Sequence, residues 1–308
     1  MKTEEQEKQM ELLFCEALGD LPAARETQEA WQAFVRRREA RRRHHVRIIL
    51  AGVAAACVVL AFMLFPLFGL EKQEIEVFAS LPSPAEITFS EHGETVVVST
   101  PPATTTSIQL SDGSKVLIGA NSRLEYPKQF TNTLRSVTLQ GEARFEVAKD
   151  ASRPFVVNTD RWQTRVLGTV FDVRDYPNCQ SGVTLYEGKV SVSAPSRKQP
   201  VREMHPGEHA LQDEDGVIQL NRTDVESQSK WVENEFFFDN TELKQVMQQI
   251  GSWYNVGVIF RSRPLLDERI YFHMSRQMPV QRMVDVLNDL GIARFSLEEG
   301  RIVVASIR

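Results

Sequence analysis

The sequence predicts a multidomain chain: a short α-helical head, one transmembrane helix, an all-β domain and a small C-terminal α/β module. Three observations carry this prediction. Residues 48–70 form a long apolar run, residues 95–225 hold short alternating strand patterns between turn signals, and helical and strand periods alternate after Trp231. We therefore expect a head over 1–45, a transmembrane helix over 46–70, a linker over 71–94, a β domain over 95–225 and a module over 231–308.

The apolar run predicts both a membrane span and its orientation. It contains 23 residues without a charge, which as a helix covers roughly 34 Å, more than the hydrocarbon core of about 30 Å. Seven arginines precede it within residues 36–47, whereas Glu71, Glu74 and Glu76 follow it. Because basic flanks remain in the cytoplasm, we expect a cytoplasmic N-terminus and an exported C-terminal part.

The head is predicted to offer an apolar surface to a partner. Leu12 and Leu13 lie near one face of a first short helix, and Trp31 and Phe34 lie on a second helix. Two helices in fewer than about fifty residues bury little apolar surface by themselves. The net charge of the chain is only −5, which argues against direct nucleic-acid binding.

Turn signals organise the β domain. Asp112-Gly113 separates two short apolar segments and predicts a hairpin, and Gly188 follows a further strand. Gly141 interrupts a long alternating strand, which predicts a bulge or close packing at that position. Short strands without intervening helices predict a sandwich or a short β-solenoid.

The module reads as βαβ followed by βαββ. Phe236 to Phe238 form its first predicted strand, and apolar residues at helical spacing follow from Leu243. A second helix is predicted to open after Pro279, and the last strands form a hairpin at Glu299-Gly300.

No catalytic or metal-binding pattern occurs in the sequence. There is no nucleophile elbow, zinc-protease motif or phosphate loop, and Pro206-Gly207 places a turn between His205 and His209. Asp112, Glu142 and Glu187 are predicted to be solvated surface carboxylates. We therefore expect no enzyme activity, no cofactor and no metal site.

An ordered series of blocks resembles the FecR family of membrane anti-sigma regulators. The blocks are IQLSDGSKV from Ile108, NSRLEYP from Asn121, VTLQGEARFEV from Val137, RPFVV from Arg153, VLGTVFDV from Val166 and YEGKV from Tyr186. The C-terminal module is similar to the secretin/TonB short N-terminal fold that often ends such proteins.

The resemblance implies a relay across the inner membrane. The signalling domain of a TonB-dependent outer-membrane transporter would engage the periplasmic module at strand edges near Phe236, Phe238, Ile302 and Val304. The head would bind an extracytoplasmic-function sigma factor through Leu12, Leu13, Trp31 and Phe34. The alternative is a structural periplasmic adaptor of a transporter or secretion complex that binds no sigma factor.

The resemblance also draws attention to Gly168-Thr169. Some members of the family cleave themselves at a Gly-Thr bond in this block, when the threonine hydroxyl attacks the preceding carbonyl and the resulting ester hydrolyses. The alternative is structural: Gly168 permits a bulge, and Thr169 favours a strand.

Overall fold

The computed structural model describes residues 8–13, 74–177, 179–195, 200–212 and 216–307. The chain divides into two units after Glu71. In the first unit, residues 8–13 are helical (α1) and exposed. Among the described residues, no helix combines the length and the apolar character needed to cross a membrane. The predicted span over 46–70 and most of the predicted head lie outside them.

The second unit contains a β domain, as predicted. Its strands within the described residues are β2 (Thr88–His92), β3 (Thr95–Ser99), β4 (Thr106–Gln109), β5 (Lys115–Ile118), β6 (Arg123–Pro127), β7 (Arg135–Glu146), β8 (Phe155–Asn158), β9 (Gln163–Val166), β10 (Val170–Asp175), β11 (Gly182–Glu187), β12 (Val190–Ser193), β13 (Arg202–Met204), β14 (Glu208–Gln212) and β15 (Ile218–Arg222).

The long strand β7 joins the two sheets of this domain. Its first residues pair with β6 and β8, and its last residues pair with β5 and β10. The change of sheet occurs at Gly141, whose φ is 101° and where a Cβ would collide with Ser122. Glycine alone combines this conformation with so close an approach, so the predicted bulge or close packing is confirmed.

The two sheets enclose one core. The first has the order β2-β3-β6-β7-β8-β9-β12-β13, and the second has the order β4-β5-β7-β10-β11-β14-β15. Phe145 stacks on Phe171 at 5.2 Å and also meets Phe155 at 6.0 Å. Side chains from both sheets share this core, which is the arrangement of a sandwich joined through one bent strand. The solenoid alternative is wrong, because sequential strands do not stack in repeated rungs.

The C-terminal module has the predicted order of elements. They are β16 (Glu235–Glu242), α3 (Leu243–Tyr254), β17 (Gly257–Phe260), β18 (Arg269–Ser275), α4 (Val280–Asp289), β19 (Arg294–Glu298) and β20 (Arg301–Ala305), preceded by the short helix α2 (Val225–Ser229). Short 3-10 turns occupy Lys230–Glu233 and Arg263–Leu266. Helix α3 ends at Asn255 in the left-handed conformation, and a glycine at 291 follows α4.

Residues 71–94, which the sequence predicts to be a linker, form strands of both folded parts. β1 (Ile75–Phe78) pairs antiparallel with β17 at the edge of a four-stranded sheet, in the order β1-β17-β20-β19, while β2 joins the β domain. The prediction of a linker is wrong because β1 has only four residues and alternates apolar with acidic side chains. So short a pattern gives little periodic signal beside Pro82 and Pro84.

Side-chain contacts fasten β1 and the residues after it to helix α3. Phe78 is fully buried in the core of the module, and Gln248 Nε2 donates to the Val77 carbonyl at 3.2 Å. The Asn255 amide forms two hydrogen bonds of 2.7 Å with the backbone of Leu81, one as donor and one as acceptor. We call these five residues, Val77, Phe78, Leu81, Gln248 and Asn255, the β1 anchor. The module is therefore complete only with a strand that precedes the β domain in the chain.

Replacing Phe78 by alanine tests whether β1 belongs to the core. Phe78→Ala should lower the free energy of unfolding of residues 72–308 by about 3–5 kcal/mol, because it empties a fully buried site. Chemical denaturation followed by tryptophan fluorescence measures the change. Phe89→Ala is the matched control: Phe89 on β2 is 61% exposed, so its loss should change stability by less than about 0.5 kcal/mol. Equal stability of the two variants would contradict the assignment of β1 to the core.

Candidate functional site

The predicted sigma-binding residues fall only partly within the described chain. Leu12 and Leu13 lie on α1, and 70% and 65% of their surfaces are exposed. Their side chains are therefore available to a partner. Trp31 and Phe34 lie outside the described residues, so their role stays a prediction.

The residues predicted to contact the transporter are buried instead. Phe236, Phe238, Ile302 and Val304 all point into the core of the module. In addition, β20 lies between β17 and β19, so it offers no edge to a partner. The predicted strand edge at Ile302 and Val304 is therefore wrong, because an apolar alternating pattern identifies one buried face without showing which strands lie at an edge. Pairing of the transporter with the β16 edge near Phe236 and Phe238 stays a prediction.

The opposite face of β16 and β18 carries two aromatic residues for which the sequence predicted no role, the half-buried Phe237 and the exposed Tyr271. Phe237 lies between the two buried phenylalanines, and its ring meets that of His273 at 5.5 Å. Tyr271 is 69% exposed on β18, and His273 Nε2 lies 2.9 Å from Glu235. Within the described chain, β16 pairs only with β18. The alternation of residues 236–238 along the strand indicates that Phe237 faces away from the core that holds Phe236 and Phe238.

A buried polar network joins the β domain to the segment that leads into the module. Asp172 accepts two hydrogen bonds from Arg144, at 2.7 and 2.9 Å, and one from the Tyr186 hydroxyl at 2.7 Å. Trp231 Nε1 donates a fourth hydrogen bond to the Asp172 carboxylate, at 2.8 Å. Burial raises the pKa of Asp172, and these hydrogen bonds oppose that effect. Trp231 is thus held by a carboxylate of the β domain.

Two carboxylates predicted to be solvated are also buried and paired. Arg174 lies 2.6 Å from Glu142 Oε1, and Arg135 Nη1 lies 2.7 Å from Asp112. Among the three predicted surface carboxylates, Glu187 alone is exposed. The prediction failed for the other two because their arginine partners come from strands distant in the sequence. A carboxylate already bound to a guanidinium group is suited to fixing strand alignment rather than to proton transfer.

The Gly168-Thr169 bond lies in a crowded turn between β9 and β10. Gly168 has a φ of 153°, and a Cβ there would come within 2.6 Å of Lys149 Cγ. The Thr169 hydroxyl is buried and donates to the Lys189 carbonyl at 3.0 Å. A Cβ on Gly188 would lie 2.9 Å from the Gly168 carbonyl oxygen. Packing alone therefore requires glycine at 168, and the hydrogen bond of the Thr169 hydroxyl is directed at the Lys189 carbonyl.

Substituting Thr169 separates self-cleavage from a structural role. If the bond cleaves itself, C-terminally tagged protein from a protease-deficient host should yield a fragment that begins at Thr169. The fragment should persist in Thr169→Ser, which keeps the hydroxyl, and disappear in Thr169→Ala. An immunoblot with N-terminal sequencing of the fragment measures this. Full-length protein alone in all three samples would contradict self-cleavage.

Comparison with known proteins agrees with this architecture. The family model described as FecR protein matches residues 96–191, and that described as FecR, C-terminal matches residues 235–304. No protein in the curated set matches significantly. Two crystal structures of a candidate anti-sigma factor from Parabacteroides distasonis ATCC 8503, at 2.50 and 1.65 Å resolution, share the fold.

The two crystal structures correspond to most of the unit described above. They are 25% and 26% identical to this chain, with TM-scores of 0.61 and 0.62. The matches cover 70% and 69% of this chain, and 100% and 99% of the solved chains. Both family domains occur in the expected order, and the solved relatives align over essentially their full length. The chain therefore belongs to the FecR family of anti-sigma regulators.

Proposed function

We propose that this protein relays a signal from a TonB-dependent outer-membrane transporter to a cytoplasmic extracytoplasmic-function sigma factor. In this proposal the head is cytoplasmic, residues 46–70 cross the inner membrane, and the β domain and module lie in the periplasm. The observation that carries the proposal is the position of β1, which belongs to the sheet of the C-terminal module although it precedes the β domain in the chain.

The position of β1 gives the relay a short path. β1 begins at Ile75, five residues beyond the predicted end of the transmembrane helix. A partner that rearranges the module acts directly on the strand nearest the membrane, through the β1 anchor. The signal does not have to pass through the fourteen strands of the β domain. A conformational change at the module thus has a packed, continuous route toward the span.

The outer face of β16 and β18 is our proposed docking surface for the transporter's signalling domain. Aromatic side chains frequently anchor protein interfaces, and the half-buried Phe237 and the exposed Tyr271 both lie on this face. The far edge of β16 pairs with no strand of the described chain, so its backbone is able to accept a partner strand. The buried Phe236 and Phe238 support this surface from inside the core.

The head completes the relay by binding the sigma factor. Leu12 and Leu13 are exposed on α1, and an exposed leucine pair on a short helix is a suitable contact for a partner. We propose that Trp31 and Phe34 extend this contact. An adaptor that binds no sigma factor would not require such residues, so sigma capture distinguishes the two functions.

Replacing Trp31 tests sigma capture. Trp31→Ala should weaken binding of the sigma factor by at least about 2 kcal/mol, or about thirtyfold, as is typical for a central aromatic contact. Co-purification and titration with the full chain in detergent measure the affinity. The neighbouring Gln32→Ala is the matched control and should bind normally. Equal affinity of both variants would contradict a role of Trp31, and no capture by the unaltered chain would favour the adaptor.

A variant of the β1 anchor tests the route of the signal. Asn255→Gly keeps the left-handed conformation at the end of α3 but removes both hydrogen bonds to Leu81. Each bond contributes about 0.5–1.5 kcal/mol net, so the anchor should loosen without unfolding. We expect sigma-dependent transcription, measured with a reporter, to rise severalfold without stimulation of the transporter.

The same module offers a matched control for this experiment. The Asn288 amide forms an equivalent pair of 2.8 Å hydrogen bonds with the backbone of Phe295, on the side of β19 rather than β1. Asn288→Ala should leave the unstimulated reporter unchanged. Equal responses of the two variants would indicate general loss of stability and would contradict transmission through β1.

A further inference from the structure

A buried arginine of the module has no acidic partner. Arg276 follows β18 and is only 5% exposed. Its Nε donates to the Glu235 carbonyl at 3.1 Å. Among the residues that the structure describes, none gives its terminal nitrogens a hydrogen bond, and no carboxylate lies within ion-pair distance. Four of the five N–H groups of the guanidinium therefore remain to be satisfied.

The charge of Arg276 is only partly compensated by its surroundings. The rings of Phe236 and Trp253 lie 4.6 and 5.1 Å from its guanidinium carbon, and such cation–π contacts offset part of the cost of burial. The nearby carboxylate of Glu142 is already bound to Arg174. Burial lowers the pKa of Arg276 to about 10, so the group is still charged at neutral pH. Arg276 thus lies near a carboxylate that the half-buried Arg174 already holds.

Arg276 lines a polar cavity between the β domain and the module. The cavity has a volume of about 220 Å³, and Arg174, on β10, also lines it. Four uncharged amides contribute to the wall, namely Gln180, Gln228, Gln245 and Gln249. Lys230, which pairs with Glu233, and Glu235, which lies 2.9 Å from His273, are further charged groups of the lining. His209 also lines it, and burial lowers its pKa to about 4, so this ring is neutral. The wall therefore presents amide and guanidinium donors, and its charged groups are Arg174, Lys230 and Arg276 against the single carboxylate of Glu235.

We propose that this cavity binds a small oxyanion, a phosphate or carboxylate group, through the guanidinium groups of Arg276 and Arg174. A guanidinium group matches two oxygens of such an anion with paired N–H donors. The cavity is smaller than sites for drug-sized ligands, which begin at about 300 Å³, so a small ion or molecule fits better than a peptide. The amide groups of the glutamines supply further donors without adding charge.

An anion at this site would connect the two parts of the periplasmic unit. Arg174 belongs to the β domain, whereas Arg276 belongs to the module, and both would contact the same ligand. Binding would therefore favour the arrangement in which the cavity is closed, and it would stabilise the folded unit in proportion to occupancy. This inference does not depend on the identity of the transporter or the sigma factor.

Titration with inorganic phosphate and with acetate tests the proposal. The full chain in detergent is titrated with each anion at constant ionic strength with chloride, and both the thermal midpoint and the heat of binding are measured. We expect saturable binding of at least one of the two anions, with a rise in the midpoint that chloride does not give. Preference for phosphate or for acetate then identifies the chemical group that the site accepts.

Two variants test whether Arg276 is responsible for binding the anion. Arg276→Gln should bind the anion at least tenfold more weakly, whereas Arg294→Gln, which removes an exposed arginine of β19, should bind normally. If Arg276→Gln does not fold, Arg276→Lys keeps the charge without the paired donors and should bind severalfold more weakly than the unaltered chain. Absence of saturable binding, or equal affinity in a folded Arg276 variant, would overturn the proposal.

Discussion

The passage of β7 from one sheet to the other is the constraint on which the fold of residues 72–308 depends. The strand has twelve residues, and it changes sheets where Gly141 meets Ser122. The Ser122 hydroxyl accepts a hydrogen bond from the Glu142 backbone N–H at 2.9 Å and lies 3.2 Å from the Tyr176 hydroxyl. A side chain at position 141 would displace Ser122 and separate these partners. The bend therefore requires both the backbone conformation of Gly141 and the hydrogen bonds of Ser122.

The bend also determines what the β domain presents to the module. Tyr176 donates to the Ala120 carbonyl at 2.5 Å, and both residues belong to the hydrophobic core of the module rather than to that of the β domain. Asn121 Nδ2 donates to the Ser252 carbonyl at 2.6 Å, across the same boundary. The position of the module therefore follows from the local geometry beside β7. Buried pairs such as Glu142 with Arg174 add little net stability but are costly to break, so they specify this alignment.

The sequence predicted those features that are encoded locally. Alternation along β7, the Asp112-Gly113 turn and the helical spacing after Leu243 gave correct elements, since each depends on neighbouring residues. The predictions failed where the outcome depends on distant partners. The pairing of Asp112 with Arg135 and the pairing of β1 with β17 join residues far apart in the chain. The alternation along β16 indicated that Phe236 and Phe237 lie on opposite faces, but it did not show which of the two faces meets α3.

The pairing of β1 with β17 means that the beginning of the unit of residues 72–308 is held against its C-terminal module by non-covalent contacts. Phe78 lies before the β domain and Gly257 after it, yet both belong to the same part of the fold. A break in the backbone between β9 and β10 would divide the chain into two pieces that stay assembled through the β1 anchor and through the pairing of β7 with β10. The N-terminal piece would then be attached to the module only by hydrogen bonds and buried apolar surface. This non-covalent contact is stable in solution, but a pulling force separates the two pieces. An intact peptide backbone would keep them connected under the same force.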